Sequence, residues 1–182
     1  MLSFRCVVCI AGLLAAVFSR SADAKWQEYV VHSLDTLIER GTDVYGPVKS
    51  PQLMAVIDVR SMDSPEHPEA LDSLIRLEGR IHRRGERGSD LWNDQPTLQS
   101  MVLLSKVTGE PKYAKAADEY IAFALANCHK SNGLLVWGSH IYWDCFEERA
   151  AGDRDGAGPH EILVHQCHWE RLYRVKPDAV RR

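Results

Sequence analysis

The chain has 182 residues, of which 45% are hydrophobic and 26% are charged, and its net charge at pH 7 is −3. This composition is typical of a globular protein with a packed core, and five cysteines are too few for a disulfide-scaffold miniprotein. The acidic balance argues against a nucleic-acid partner, which needs a basic surface. It leaves an anionic ligand open, because a local cluster of cations outweighs the net charge inside a cleft.

The first 24 residues have the pattern of an export signal. Arg5 supplies a positive charge, an apolar run extends from Cys6 to Phe18, and Ala22-Asp-Ala24 is a small-x-small cleavage site. The run is shorter than the roughly 20 residues of a permanent membrane helix, so an uncleaved anchor is the less favoured alternative. We therefore predict a signal peptide over residues 1–24, a folded domain over residues 25–182, and a secreted or periplasmic protein without membrane association after cleavage.

Helical periodicity dominates the first part of the folded domain. Apolar positions recur at three- and four-residue steps over residues 26–41, and Gly41 supplies a C-terminal stop. Residues 53–59 fit either a short strand or a buried turn of helix. A further helix is predicted over residues 69–83.

The strongest pattern is a pair of helices over residues 97–107 and 111–128. Pro111 occupies a position that is favoured in the first turn of a helix. The connection around Gly109 is short, so the two helices should be antiparallel neighbours. The alanine-rich face of the second helix should let them approach closely.

Beyond the hairpin, the sequence predicts an extended segment over residues 134–142, a surface loop over 150–159 and a helix over 160–175. The predicted fold is therefore mainly α, built from antiparallel helical hairpins whose connecting loops carry the functional residues. The chain stops directly after a helix, and an array of hairpins needs a partner for its last face. We expect either self-association or a longer protein.

Three cysteines follow the signal peptide, and their odd number leaves at least one without a disulfide partner in the chain. A Cys128–Cys145 bridge and a Cys145–Cys167 bridge both fit an oxidising compartment. The sequence does not decide between them.

Three blocks of sequence resemble a known group of proteins. Asp94 to Asp118, with its Thr-Gly-Glu-x-x-Tyr connection, is similar to a hairpin of the six-hairpin (α/α)-toroid carbohydrate-active enzymes. Gly133 to Asp144 and the run that begins at His160 resemble bacterial exported proteins of the pectate-lyase-like group. The resemblance implies a partial (α/α) toroid that handles an acidic polysaccharide. A complete toroid needs about twelve helices and on the order of 350 residues, so the chain looks like an N-terminal portion.

Polar and aromatic side chains lie at both ends of the predicted hairpin. Elimination at a uronic acid requires a neutralised carboxylate, a base for the C5 proton and an acid for the leaving oxygen. His140 and Tyr142 are two residues apart, so an extended segment would present both on one side, with His140 as base and Tyr142 as acid. Arg83 and Arg84, in a basic cluster, are candidates for binding the anionic sugar. The alternatives are structural hydrogen bonding for the first pair and a solvated or ion-paired face for the arginines.

A glycoside hydrolase would instead need two carboxylates about 5–10 Å apart. Asp90, Asp94 and Asp144 are the candidates, although Asp94 precedes a helix, where capping is the simpler explanation. Trp92 and Trp137 are candidates for stacking on sugar rings, with core packing as the alternative.

His160 and Glu161 follow the predicted loop and are candidates for the rim of a substrate cleft. With His165 and His168 they suggest a metal site, but the spacing departs from the His-Glu-x-x-His zinc pattern, so no metal ligands are predicted. The cofactor remains open, with calcium as one option. The leading prediction is pectate-lyase-like β-elimination, followed by a hydrolase of the same fold and by a non-catalytic sugar-binding or assembly module.

Overall fold

The computed structural model describes residues 25–64, 88–89, 91–129, 141–151 and 167–181. The protein is mainly helical, as predicted. The chain divides into two compact units, Met1–Asp35 and Thr36–Arg182. Residues 25–40 are helical (α1), close to the predicted range of 26–41. Within the described ranges, no helix combines the length and the apolar character needed to cross a membrane.

The predicted helical hairpin is present as α2 (Gln95–Thr108) and α3 (Pro111–Asn127). Gly109 ends α2 with φ of 80°, a left-handed conformation that glycine adopts without steric cost. The Ser105 hydroxyl donates to the Glu110 carbonyl at 2.6 Å and accepts the Ala114 N–H at 2.8 Å. One side chain of α2 thus fixes the connection and the first turn of α3.

The two helices bury their facing apolar stripes against each other. Ala117 and Ala124 are 0% and 1% exposed, and their small side chains allow close approach. Each fully buried leucine or aromatic side chain contributes about 1.5–3 kcal/mol through removal from water. The other buried apolar residues of the hairpin are Leu98, Met101, Leu104, Tyr113, Tyr120, Ile121 and Leu125.

The segment that follows α1 is irregular and is anchored on α3. The Gln52 side chain donates to the Tyr120 carbonyl at 3.0 Å, and Leu53 pairs with Thr42 in an isolated bridge. Residues 53–59 form neither the strand nor the helical turn that the sequence suggested. Main-chain groups of this segment form local hydrogen bonds instead, and the Asp58 N–H donates to the Asp63 carbonyl at 3.0 Å.

A small antiparallel sheet, which the sequence analysis did not predict, brings together segments from either side of the hairpin. Its order is β1 (Gly88–Ser89), β2 (Tyr142–Asp144) and β3 (Arg149–Ala151). The prediction of a surface loop from residue 150 is wrong at its start, because Ala150 pairs with Trp143 and is only 6% exposed.

The predicted helix over residues 160–175 is wrong at residues 167–168. Cys167 and His168 are not helical, and α4 begins only at Trp169 (Trp169–Val175), before the short α5 (Pro177–Val180). The His168 N–H donates to Gln95 Oε1 at 3.1 Å, so a contact with the start of α2 replaces a helical hydrogen bond. Arg171 then joins α4 to α3 through two 2.7 Å hydrogen bonds to the Asp118 carboxylate.

The three cysteines of the folded domain are all thiols, so neither of the two disulfides that the sequence allowed is present. Cys145 is completely buried, and burial raises its pKa, with Asp43 as a further cause. Burial also raises the pKa of Cys167, to about 12.

Candidate functional site

The turn between β2 and β3 is built around Asp144. Its Oδ1 accepts the N–H groups of Phe146 and Glu147, both at 2.9 Å. Aspartate commonly closes turns in this way, because its short side chain reaches the main chain two and three residues on. Glu148 completes the turn in a left-handed conformation with φ of 52°. Asp144 is 5% exposed, and its carboxylate therefore fixes the geometry of the hairpin.

The side chains of β2 alternate between two faces. Trp143 points into an apolar cluster with Met54 and Cys145, and its ring meets Phe123 edge-on at a centroid distance of 4.8 Å. Tyr142 and Asp144 share the other face, where Tyr142 is partly exposed. The core contact of Trp143 thus determines which way Tyr142 faces.

The strand register adds neighbours to this face. Arg149 lies opposite Asp144 on β3, Ala151 lies opposite Tyr142, and Gly88 lies opposite Asp144 on β1. Directly opposite residues in an antiparallel pair place their side chains on the same face. We call the surface made by Gly88, Tyr142, Asp144 and Arg149 the Tyr142 face.

Position 88 requires glycine, because the main chain and a ring of β2 approach it closely. A Cβ atom there would lie 2.1 Å from the Trp143 carbonyl oxygen and 2.6 Å from Cδ2 of Tyr142. The Tyr142 ring therefore rests against the main chain of β1. The two-residue strand holds the predicted acid in place.

Arg149 supplies the positive charge of the Tyr142 face. Its Nε donates to Glu147 Oε2 at 2.8 Å, and its Nη2 lies 2.5 Å from the same oxygen. The hydrogen bond and charge of Glu147 raise the pKa of Arg149, and Asp144 and Tyr142 act in the same direction. Arg149 is not among the site residues that the sequence predicts. Residues 145–148 contain none of the usual turn residues, so only the strand register places Arg149 on this face.

Asp94 and Trp92 lie at the start of α2 and are both buried. Asp94 is 6% exposed and precedes the helix, but its side chain makes no capping hydrogen bond. Its Oδ2 instead accepts the Tyr120 hydroxyl at 2.6 Å, while Trp92 is 9% exposed. Ser89 belongs to the sheet, where it pairs with Trp143. Asp94 follows Ser89 by five residues, so the chain between them can span at most roughly 17 Å.

The structure therefore places Tyr142 and Asp144 on one face of the sheet, and it buries Trp92 and Asp94. The remaining candidates lie outside the described residues, namely Arg83, Arg84, Asp90, Trp137, His140, His160 and Glu161.

A separate groove of about 130 Å³ runs along α2, α3 and α4. Leu98, Val102 and Ile121 form its apolar wall, and His168 lies at its edge. None of the candidates that the structure describes, Trp92, Asp94, Tyr142 and Asp144, lines this groove. Among the residues that the structure describes, no group of three or more His, Cys, Asp or Glu side chains could hold a metal ion.

The sequence profile of the family described as "Periplasmic pectate lyase" matches residues 82–182, which is more than half of the chain. The chain belongs to this family. Its location is accordingly periplasmic or secreted, as predicted, and its substrate class is acidic polysaccharide. The match includes the hairpin and the whole Tyr142 face.

Proposed function

We propose that the protein cleaves a uronic-acid polymer by β-elimination. In this reaction His140 takes the C5 proton, the C4–O bond breaks as a C4=C5 double bond forms, and Tyr142 protonates the leaving oxygen. A phenol is suited to the second role, because it stays protonated at neutral pH and can donate. The observation that carries the proposal is the family match over residues 82–182, together with a partly exposed tyrosine next to a cation on the Tyr142 face.

The positions of two carboxylates favour elimination over hydrolysis. A hydrolase needs one carboxyl group as acid and another as base or nucleophile. Asp94 is buried against Tyr120, and Asp144 Oδ1 accepts two turn N–H groups. We propose that Asp144 positions Tyr142 and Arg149 rather than exchanging protons with substrate. Asp90, the third carboxylate considered, lies outside the described residues.

The remaining sequence predictions belong to the same proposal. Arg83, Arg84 and Asp90 would contact the sugar from the segment before β1, while Trp92 and Asp94 would support that contact from the core. Trp137, His160 and Glu161 would line the cleft from the segments on either side of β2 and β3. The hairpin of α2 and α3 would be one unit of an (α/α) toroid. The mature chain would begin at Lys25 after cleavage of the signal peptide.

The test is incubation of the protein with polygalacturonate, with and without added calcium, followed by ultraviolet absorbance and by reducing-end assay. Elimination generates an unsaturated product, so absorbance and reducing ends should rise together. Reducing ends without absorbance would indicate hydrolysis. Binding without product would leave the sugar-binding module.

The roles of the two residues are tested with His140→Ala and Tyr142→Phe. Loss of a general acid or base lowers the rate by about 10²- to 10⁴-fold, and we expect each variant to fall within that range. Tyr173→Phe is the matched control, because Tyr173 is exposed on α4 and its hydroxyl contacts Arg181. An unchanged elimination rate in either site variant would refute its assignment.

A further inference from the structure

Arg149 stands out on the Tyr142 face because its charge is both fixed and accessible. The strand register puts it on the same face as Tyr142, and 59% of its side chain is exposed. Burial does not force it into the ion pair with Glu147, whose side chain is also 44% exposed. An exposed ion pair of this kind contributes little to stability.

The ion pair also orients the guanidinium. Nε and Nη2 both face the same oxygen of Glu147, which occupies one edge of the group. A guanidinium has five N–H donors in a planar fork, so the Nη1 edge keeps its donors. Among the described residues, the polar contacts of the Arg149 guanidinium use Nε and Nη2 and leave Nη1 without an acceptor. The donors are available to a carboxylate that approaches the Tyr142 face.

We infer that Arg149 binds the free carboxylate of the sugar unit at the reaction centre and thereby selects unesterified over methyl-esterified uronate. The inference rests on the proposed function and names the group that recognises its substrate. An arginine binds a carboxylate through charge-assisted, often paired hydrogen bonds. A methyl ester has no charge and offers only a weak acceptor, so the same contact is largely lost. Neutralising the carboxylate also makes the C5 proton easier to remove.

The experiment compares the wild-type protein, Arg149→Gln, Arg149→Lys and Glu147→Gln on polygalacturonates of stepwise increasing methyl-esterification. Binding of unesterified trigalacturonate is measured in parallel by titration calorimetry. Arg174→Gln is the matched control, because it removes one exposed arginine of α4 away from the Tyr142 face. Circular dichroism checks that every variant is folded.

Arg149→Gln should raise KM and the dissociation constant for unesterified substrate about 5-fold, the upper end for a solvent-exposed ion pair. Its effect should shrink as methyl-esterification rises, and Arg149→Lys should recover part of the loss. Glu147→Gln should change KM in the opposite direction, because it removes the anion that competes for the guanidinium. Arg174→Gln should match the wild-type protein.

Two failures are distinguishable. If the wild-type protein forms unsaturated product but Arg149→Gln keeps its KM and its preference for unesterified substrate, the inference is wrong and the proposed function stands. If the wild-type protein forms no product but binds trigalacturonate through Arg149, the proposed function fails and the recognition role stands. Absence of both product and binding overturns the two together.

Discussion

Replacing Tyr120 with phenylalanine should destabilise the protein by about 1.5–3 kcal/mol, the range for a hydrogen bond to a charged group. The variant removes only the hydroxyl, which donates to Asp94 Oδ2 at 2.6 Å. Tyr120 is 1% exposed and Asp94 is 6% exposed, so water does not readily replace the lost donor. The ring stays in the core, and the lost free energy is therefore that of the hydrogen bond and not of a cavity.

The assay is urea unfolding followed by circular dichroism, supported by thermal melting. For a chain of this size each 1 kcal/mol corresponds to about 2–4 °C, so the melting temperature should fall by about 3–12 °C. Tyr173→Phe removes an exposed hydroxyl and should change the free energy of unfolding by less than about 0.5 kcal/mol. Asp94→Asn keeps an acceptor for Tyr120 and should cost less than Tyr120→Phe. Equal stabilities for Tyr120→Phe and Tyr173→Phe would refute the assignment of a strong buried hydrogen bond.

Three further variants or conditions test other parts of the structure. Gly88→Ala should lower the free energy of unfolding in urea by about 1–3 kcal/mol and should lower the elimination rate, because its Cβ would lie 2.6 Å from the ring of Tyr142. Wild-type stability together with wild-type activity would contradict the close approach. Asp118→Asn should lower the free energy of unfolding by at most about 1 kcal/mol in the same assay, because the carboxylate paired with Arg171 is 39% exposed and water partly screens its charge. A much larger loss would mean that water does not screen the pair. Burial raises the pKa of Cys167 from 9.0 to about 12, and only the thiolate reacts, so alkylation of this thiol should be slow at pH 8. Its contribution to stability should be lost as the pH rises above 9.0, because the thiol of the unfolded chain ionises first. Rapid alkylation of the folded protein at pH 8 would contradict the raised pKa.

The helical hairpin could be predicted because its signals are local. Apolar periodicity, Pro111 and Gly109 lie within the segment that they describe, and the observed ends differ from the predicted ones by two residues or fewer. The start of α4 could not be predicted in the same way. It depends on Gln95, which takes the His168 N–H and is remote from it in sequence.

The sheet escaped prediction for a related reason. Strands of two and three residues have no periodicity to detect, and β1 exists only because Gly88 meets Asp144 across the hairpin. The prediction that His140 and Tyr142 share one side of the strand stays a prediction, because His140 lies outside the described residues. The position of Arg149 on the Tyr142 face depends on the strand register, and that register follows from the turn that Asp144 closes.

The sheet also has a consequence for the order of folding. The contacts within the hairpin are close in sequence, whereas the pairing of Gly88 with Asp144 closes a long loop, so we expect it to form later. With so few interstrand hydrogen bonds, β1 should also detach at a smaller free-energy cost than global unfolding. Amide hydrogen exchange should therefore be faster at Ser89 than in the middle of α3, and substrate that rests on the Tyr142 face should slow it.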